Sequence, residues 1–137
     1  MSLNYSRRID FPMVDLAGIV YYPVYWDLAH RFFEESWEEI CGISYPVIIN
    51  EHRLGFPAVS TSSTHHSPLR YGDIVHCRLW VSKVGKSSTV WNYSFTDQTG
   101  RLVWTGEVTT VCVDLDSFES VEIPSVFADG LLKCSEN

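Results

Sequence analysis

The chain has 137 residues and a mass of 15.7 kDa, which suits one domain over residues 1–137 rather than two. A hydrophobic content of 45% beside 20% charged residues is typical of a soluble globular protein, and no stretch approaches the roughly 18 apolar residues of a membrane span. The net charge of −7 disfavours nucleic acid as a partner, and the N-terminus lacks the apolar core of a signal peptide, so we expect a cytoplasmic protein.

The predicted elements are one strand, one long helix and then strands to near the end. Alternating polarity predicts the first strand at Tyr5 to Phe11. The helix is predicted from about Pro23 to about Cys41, because proline suits the first helical position and Gly42 suits the position just past the end. Residues 43–56 indicate a short turn of helix and a loop, and Lys133 to Asn137 are expected to fray. Segments rich in Val, Thr and aromatic residues predict four further strands at Phe56–His66, Asp73–Val84, Ser87–Asp97 and Leu102–Asp114.

The predicted helix is amphipathic. Its apolar side chains recur three or four residues apart, at Trp26, Ala29, Phe33, Trp37 and Ile40, and are flanked by Tyr25, Leu28 and Phe32. The opposite face is charged, and His30 lies at the border between the two faces. Such a helix packs broadly on a sheet, so we expect an α+β fold with one long helix on an antiparallel sheet of about five strands. Periodicity alone does not distinguish the possible α+β layouts.

The segment from Asp15 to Pro23 places one carboxylate in a short loop directly ahead of this helix. A helix N-terminus offers free N–H donors and a partial positive charge, which suit an oxyanion. A carboxylate beside an oxyanion hole is sufficient for acyl transfer from a thioester, whose thiolate leaves readily. The alternative is that Asp15 only caps a turn, a common role of aspartate in loops.

The motif Asp15-x-x-Gly18-Ile19-Val20-Tyr21, with Tyr25 beyond it, resembles the signature of the 4-hydroxybenzoyl-CoA thioesterase family of hot-dog enzymes. The similarity extends to the segment Ser67 to Asp73, ahead of a predicted strand. It implies a hot-dog fold and an acyl-CoA substrate, with neither cofactor nor metal. It also implies that Asp15 is the catalytic carboxylate, as nucleophile or as general base on water. The oxyanion donor of the family then falls at the backbone N–H of Tyr22.

His30 stands where members of this family carry an acidic residue. A histidine there resembles the branch that hydrolyses 1,4-dihydroxy-2-naphthoyl-CoA on the way to phylloquinone, as do Tyr21, Glu34, Trp37 and the segment Phe56 to Val59. A neutral imidazole can both donate to and accept from a phenolic hydroxyl. We therefore expect this aromatic acyl-CoA as substrate. The alternative is a half-buried histidine that is hydrogen-bonded to the scaffold.

Further contacts with the acyl-CoA are expected from the loop, the helix and a hydroxyl-rich strand. The residues concerned are Gly18, Val20, Tyr25, Ser60 and Ser62. Four cations near predicted turns are weaker candidates for binding the phosphates of coenzyme A: Arg70, Lys83, Lys86 and Arg101.

Other motifs favour structural roles. The four cysteines lack metal-ligand spacing and are expected to be free, buried or half-buried thiols. His65 and His66 are neighbours on a predicted strand, so their rings should point to opposite faces and form no metal site together.

A lone subunit of this fold leaves a sheet edge uncovered, so we expect a homodimer at least. The resemblance further implies that dimers pair into a homotetramer and that Asp15 of one subunit faces a pocket built partly by the other. Two functional alternatives stay open. One is a thioesterase for 4-hydroxybenzoyl-CoA, short-chain acyl-CoA or acyl-carrier-protein thioesters. The other is a non-catalytic module that only binds acyl-CoA or a partner protein.

Overall fold

The computed structural model describes residues 1–135, and Glu136 and Asn137 lie outside the described residues. In chain order the elements are β1 (Leu3–Arg8), a 3₁₀ turn (Phe11–Met13), α1 (Val24–Cys41), α2 (Tyr45–Asn50), β2 (Leu54–Gly55), β3 (Ala58–His65), β4 (Ile74–Val84), β5 (Ser88–Thr96), β6 (Leu102–Val111), β7 (Val113–Asp114) and α3 (Ser125–Lys133). None of the helices in this range is long and apolar enough to cross a membrane.

Five strands form one antiparallel sheet in the order β1-β4-β5-β6-β3, and β2 pairs with β7 in a separate two-stranded ladder. The long helix α1 packs on one face of the large sheet. Its Phe32 ring lies 5.7 Å from Phe95 on β5, and its Phe33 ring lies 4.9 Å from Trp91 on the same strand. The predicted α+β layout, with one long helix on a five-stranded antiparallel sheet, is confirmed.

The position of α1 and most of its buried face were predicted correctly, although Trp26 of the predicted apolar stripe is only half-buried. The helix begins just after Pro23, which occupies the N-cap, and ends at Gly42, whose φ of 74° turns the chain while its N–H donates to Glu38 O at 2.8 Å. Ser36 is also buried, because its hydroxyl donates to Phe33 O at 2.6 Å and so needs no water. The buried side chains are Tyr25, Leu28, Ala29, Phe32, Phe33, Ser36, Trp37 and Ile40.

Several predicted strand boundaries were wrong, most clearly in the first and last strands. The first strand runs from Leu3 to Arg8 rather than from Tyr5 to Phe11, and Pro12, which lacks an N–H, lies in the 3₁₀ turn that follows. The predicted strand Leu102–Asp114 is broken at Cys112, whose N–H donates to Ser87 O at 2.8 Å outside the ladder. Beyond this break the chain joins β2 as β7, which directs the following turn towards the helix side of the sheet.

The C-terminal helix α3 was not predicted, and the expected fraying is wrong for Lys133 to Ser135. Lys133 ends α3, Cys134 is buried, and Val81 donates to the carbonyl of Cys134 at 3.0 Å. Asn137, the other limit of that prediction, lies outside the described residues. All four cysteines are free, and three of them are buried.

Asp97 organises the turn between β5 and β6. Its Oδ1 accepts from the Thr99 hydroxyl at 2.6 Å, from Thr99 N at 2.9 Å and from Arg101 N at 3.1 Å. These bonds, the hydroxyl bond of Thr99 first, hold the pKa of the Asp97 carboxyl below its usual value.

Replacing Asp97 by Asn should remove a pH-dependent part of the stability. A lowered pKa stabilises the fold above the unfolded-state value of about 4, and this contribution is lost as pH falls through the folded-state pKa. The difference in free energy of unfolding between wild type and Asp97→Asn should therefore be largest near neutrality and shrink in acid. Urea unfolding across this pH range measures it, and a difference independent of pH would contradict the assignment.

Candidate active site

Asp15 lies in a tight, exposed loop between two bridged residues, Val14 and Val20. The loop is closed by bonds from Asp15 N to Ile19 O and from Gly18 N to Asp15 O, both 3.0 Å, and Gly18 adopts a φ of 79° to make the turn. One carboxylate oxygen, Oδ1, accepts from Ala17 N at 2.9 Å. Asp15 thus does cap its own turn, and this contact orients the carboxylate while Oδ2 has no protein partner within residues 1–135.

The start of α1 leaves one backbone amide unpaired. The amides of Val24, Tyr25 and Trp26 already donate to the three carbonyls that precede the helix, at 2.9 to 3.4 Å. The amide of Tyr22, two residues ahead of the helix, donates to no acceptor in the described part of the chain. Since an unpaired N–H is rare unless it meets water or a ligand, Tyr22 is the amide available to an oxyanion here.

Both groups line one cavity of about 440 Å³, which we call the Asp15 cavity. Val20 and Tyr25 form part of its wall, and both are buried. The Tyr25 hydroxyl accepts from Leu69 N at 3.3 Å, and burial raises the pKa of this phenol, which therefore stays neutral. The cavity combines a carboxylate, a free amide and an apolar wall, as a thioester carbonyl requires.

His30 lines a second and larger cavity of about 580 Å³, the His30 cavity. Its ring stacks on Phe33 at 5.3 Å, and its Nε2 lies 3.8 Å from a Glu34 oxygen, beyond hydrogen-bond distance. The side chain is 61% exposed, so its ring nitrogens remain accessible and the alternative of a scaffold-bound histidine is not supported. The aromatic walls of this cavity are Trp26, Phe33, Tyr45, Phe56 and Tyr93.

The two cavities are neighbours along α1. Trp104 lies between them, stacked on Tyr25 of the Asp15 cavity at 5.9 Å and edge-on to Trp26 of the His30 cavity at 5.0 Å. Tyr22 and His30 are eight residues apart, which corresponds to about 12 Å along a helix. The cavity that holds Asp15 and the Tyr22 amide thus lies beside a pocket with aromatic walls.

The hydroxyl-rich strand β3 contributes a different residue from those predicted. Thr61 lines the His30 cavity and His65 lines the Asp15 cavity, so alternation places Ser60 and Ser62 on the opposite face of β3. The two serines predicted to bind substrate therefore do not join these cavities. Gly18, also predicted to touch substrate, shapes the turn that holds Asp15.

The two neighbouring histidines make separate contacts. His65 packs edge-on against Tyr25 at 5.0 Å, whereas His66 Nε2 lies 3.0 Å from the Thr105 hydroxyl. Within residues 1–135, no group of three or more His, Cys, Asp or Glu side chains is arranged to hold a metal ion.

The four cations predicted for coenzyme A do not converge within one chain. The backbone of Arg70 forms a β-bridge with that of Ile19 beside the Asp15 loop. The Arg101 guanidinium donates to Pro68 O at 3.4 Å, and its Nε lies 3.3 Å from the Asp97 carboxylate. The two lysines flank the β4–β5 hairpin, at the far end of the 11-residue strand β4, about 33 Å from its start. Only the arginines lie near the Asp15 cavity.

Sequence reasoning missed several residues of the His30 cavity, among them Thr61, Leu115 and Phe118. Thr61 belongs to the hydroxyl-rich segment from which the prediction took the other alternating set, Ser60 and Ser62. Leu115 and Phe118 lie in a turn, where no periodicity marks a buried or ligand-facing position. Only the placement of this turn against α1 shows their role.

Comparisons with known proteins identify the family of this chain. A family model of the thioesterase-like superfamily matches residues 10–131. The 1,4-dihydroxy-2-naphthoyl-CoA hydrolase of Nostoc punctiforme is 29% identical over 132 residues, which cover 96% of this chain and 87% of that protein.

Solved structures extend the likeness to three dimensions. A gentisyl-coenzyme A thioesterase has a TM-score of 0.83 at 27% identity, covering 90% of this chain and 98% of that one. A 1,4-dihydroxy-2-naphthoyl-CoA thioesterase from Synechocystis has a TM-score of 0.87 at 20% identity over the full length of both chains, a likeness of fold. The hot-dog fold predicted from the Asp15 motif is confirmed, and the chain belongs to the thioesterase-like superfamily.

Proposed function

We propose that this thioester hydrolase acts on an aromatic acyl-CoA and that its substrate is 1,4-dihydroxy-2-naphthoyl-CoA. The products would be 1,4-dihydroxy-2-naphthoate and CoA, a step in phylloquinone biosynthesis. One observation carries the proposal: the Asp15 carboxylate and the unpaired Tyr22 amide line the same cavity, next to a second cavity walled by aromatic rings. The name of the Nostoc punctiforme relative supports the choice of acyl group.

In the proposed mechanism the thioester carbonyl oxygen accepts from the Tyr22 N–H, which stabilises the negative charge that develops there. Asp15 then acts by one of two routes. As a nucleophile it forms a mixed anhydride and expels the CoA thiolate, and water hydrolyses the anhydride. As a general base it removes a proton from a water molecule that attacks the carbonyl directly. Both routes use the oxygen that does not accept from Ala17.

The acyl group would extend from the Asp15 cavity past Trp26 into the His30 cavity. The eight residues from Tyr22 to His30, which correspond to about 12 Å at helical spacing, suit a flat bicyclic group that ends in a hydrogen bond better than a short aliphatic one. The accessible nitrogens of His30 would then meet a ring hydroxyl of the substrate.

Replacing His30 by Ala should change substrate preference. The ratio of kcat/KM for 1,4-dihydroxy-2-naphthoyl-CoA to that for benzoyl-CoA, which lacks ring hydroxyls, should fall about tenfold because one hydrogen bond is lost. Thiol release with both esters measures the ratio. His76→Ala, at an exposed position on β4, is the matched control and should leave the ratio unchanged. An unchanged ratio in His30→Ala would remove His30 from the acyl site.

Arg70 is the cation we propose for the phosphates of coenzyme A, with Arg101 as its neighbour, because both lie beside the Asp15 cavity. Lys83 and Lys86 could serve the same ligand only if a partner subunit brought them to it. Four free thiols support a reducing compartment, and we propose the cytoplasm.

A homodimer, able to pair into a homotetramer, is part of the proposal. Strand β3 lies at the edge of the sheet and all of its residues from Ala58 to His65 are exposed, although three of them line the cavities. An uncovered edge of this length favours pairing with a second copy. Sedimentation at micromolar concentration should give two or four times the 15.7 kDa subunit mass, and a stable monomer would contradict this.

Thiol release from a panel of acyl-CoA esters tests the proposed function. Broad and weak turnover would favour the alternative of a thioesterase for 4-hydroxybenzoyl-CoA, short-chain acyl-CoA or acyl-carrier-protein thioesters. Absence of turnover on every ester would favour a non-catalytic binding module.

A further inference from the structure

Phe118 is an exposed aromatic residue at the mouth of the His30 cavity. Its side chain is 69% exposed and yet forms part of the cavity lining. Its φ is 59°, in the left-handed region that bulky residues rarely adopt. Such strain persists only where the surrounding structure holds it, and it concentrates at sites that contact ligands.

The turn around Phe118 is held by its own hydrogen bonds. Phe118 N donates to Asp114 O at 2.6 Å, and Asp114 N donates to Glu119 O at 2.9 Å. The carboxylate of Asp114 accepts from Asp116 N at 2.8 Å and from Ser117 N at 3.3 Å. The backbone that carries Phe118 is therefore fixed at both ends and across its centre.

A neighbouring segment anchors this turn to the rest of the domain. The Arg53 guanidinium lies 3.1 Å from the Asp116 carboxylate, and Leu115 N donates to Arg53 O at 2.9 Å. Arg53 also has a positive φ, of 55°. Leu115 packs so closely on Gly55 that a Cβ there would lie 2.8 Å from its side chain. The anchoring fixes the position of two cavity residues, Leu115 and Phe118.

We propose that Phe118 determines acyl-group specificity by closing the outer end of the His30 cavity over a flat aromatic acyl group. The inference rests on the proposed function in one respect, the use of this cavity for the acyl group. A flat ring enclosed between Phe118 and the opposite aromatic walls makes stacking contacts that a short aliphatic chain cannot reach. The Phe118 side chain is exposed to water on a strained backbone, and it would gain apolar contacts when this ligand binds.

Binding of 2-naphthoate, measured by titration calorimetry, tests the inference without turnover. Phe118→Ala should raise the Kd at least about fivefold, through the loss of one aromatic contact. Phe11→Ala is the matched control: Phe11 is 71% exposed, pairs only edge-on with Tyr71 at 5.7 Å and should leave the Kd unchanged. Equal affinity in wild type and Phe118→Ala, or no binding by wild type, would overturn the inference.

Turnover gives a second reading. The ratio of kcat/KM for a naphthoyl-CoA to that for acetyl-CoA should fall about tenfold in Phe118→Ala. Gly55→Ala, whose Cβ would displace the Leu115 side chain on the same turn, should lower the ratio in the same direction. An unchanged ratio in both variants would overturn the inference and leave the proposed function intact.

Naphthoate binding that depends on Phe118 in a protein without turnover would support the inference and contradict the proposed function. A lower sedimentation mass for Phe118→Ala would assign Phe118 to a subunit interface and overturn the inference.

Discussion

The Asp15→Asn variant is expected to lose at least about 100-fold in kcat for thioester hydrolysis, with KM little changed. The change removes the charge that either attacks the carbonyl or deprotonates water. It keeps the amide oxygen in the place of Oδ1, which accepts from Ala17 N at 2.9 Å, so the turn retains its geometry. Thiol release from the aromatic ester, read with a thiol-reactive dye, measures the loss.

Asp10→Asn is the matched control for this experiment. Asp10 is a nearby carboxylate. It forms a surface ion pair with Arg8 at 2.9 Å, so its neutralisation should alter kcat less than twofold. Retention of kcat within about threefold in Asp15→Asn would exclude both catalytic routes, which are each worth far more than that.

The Gly130→Ala variant is expected to lose about 3 kcal/mol of unfolding free energy, through overpacking between α3 and α1. A Cβ at position 130 would overlap the carbonyl oxygen of Ile40 and would lie 2.9 Å from the Ile40 side chain. Ile40 lies within α1, so its backbone cannot move away without distorting the helix. Urea unfolding at neutral pH measures the change.

Leu132→Ala serves as the control on the same helix. Leu132 is 56% exposed, so its truncation should change stability by no more than about 0.5 kcal/mol. Gly130→Ala protein that folds should retain kcat. Position 130 packs on the last turn of α1, whereas the Asp15 loop adjoins the first turn of the same helix. A stability equal to that of wild type would show that α3 does not pack on α1 in this way.

Local patterns predicted α1 well and α3 not at all, for reasons that lie in their packing. An 18-residue helix displays several turns of one apolar stripe and ends at a glycine, which is a strong signal. The nine residues of α3 show fewer turns, and Gly130 lowers their helix propensity. That glycine is explained only by the close approach of Ile40, which no local pattern contains.

For the candidate site, too, local patterns predicted one part and long-range contacts determine the other. The Asp15 loop and the helix start are adjacent in the chain, so their proximity could be predicted. The facing set of β3 could not, because a bulge between Ala58 and Ser60 shifts the register and exchanges the two faces of the strand. Phe118 reaches the cavity only through the pairing of β7 with β2, a long-range contact.

The most direct test of the central claim is the rate of thiol release by wild type from 1,4-dihydroxy-2-naphthoyl-CoA, compared with 4-hydroxybenzoyl-CoA, benzoyl-CoA and a short aliphatic acyl-CoA. We predict that kcat/KM for the naphthoyl ester exceeds each of the others by at least about tenfold, because it combines a bicyclic ring for the aromatic cavity with ring hydroxyls for His30. Equal turnover of all four esters, or faster turnover of the aliphatic one, would contradict the claim.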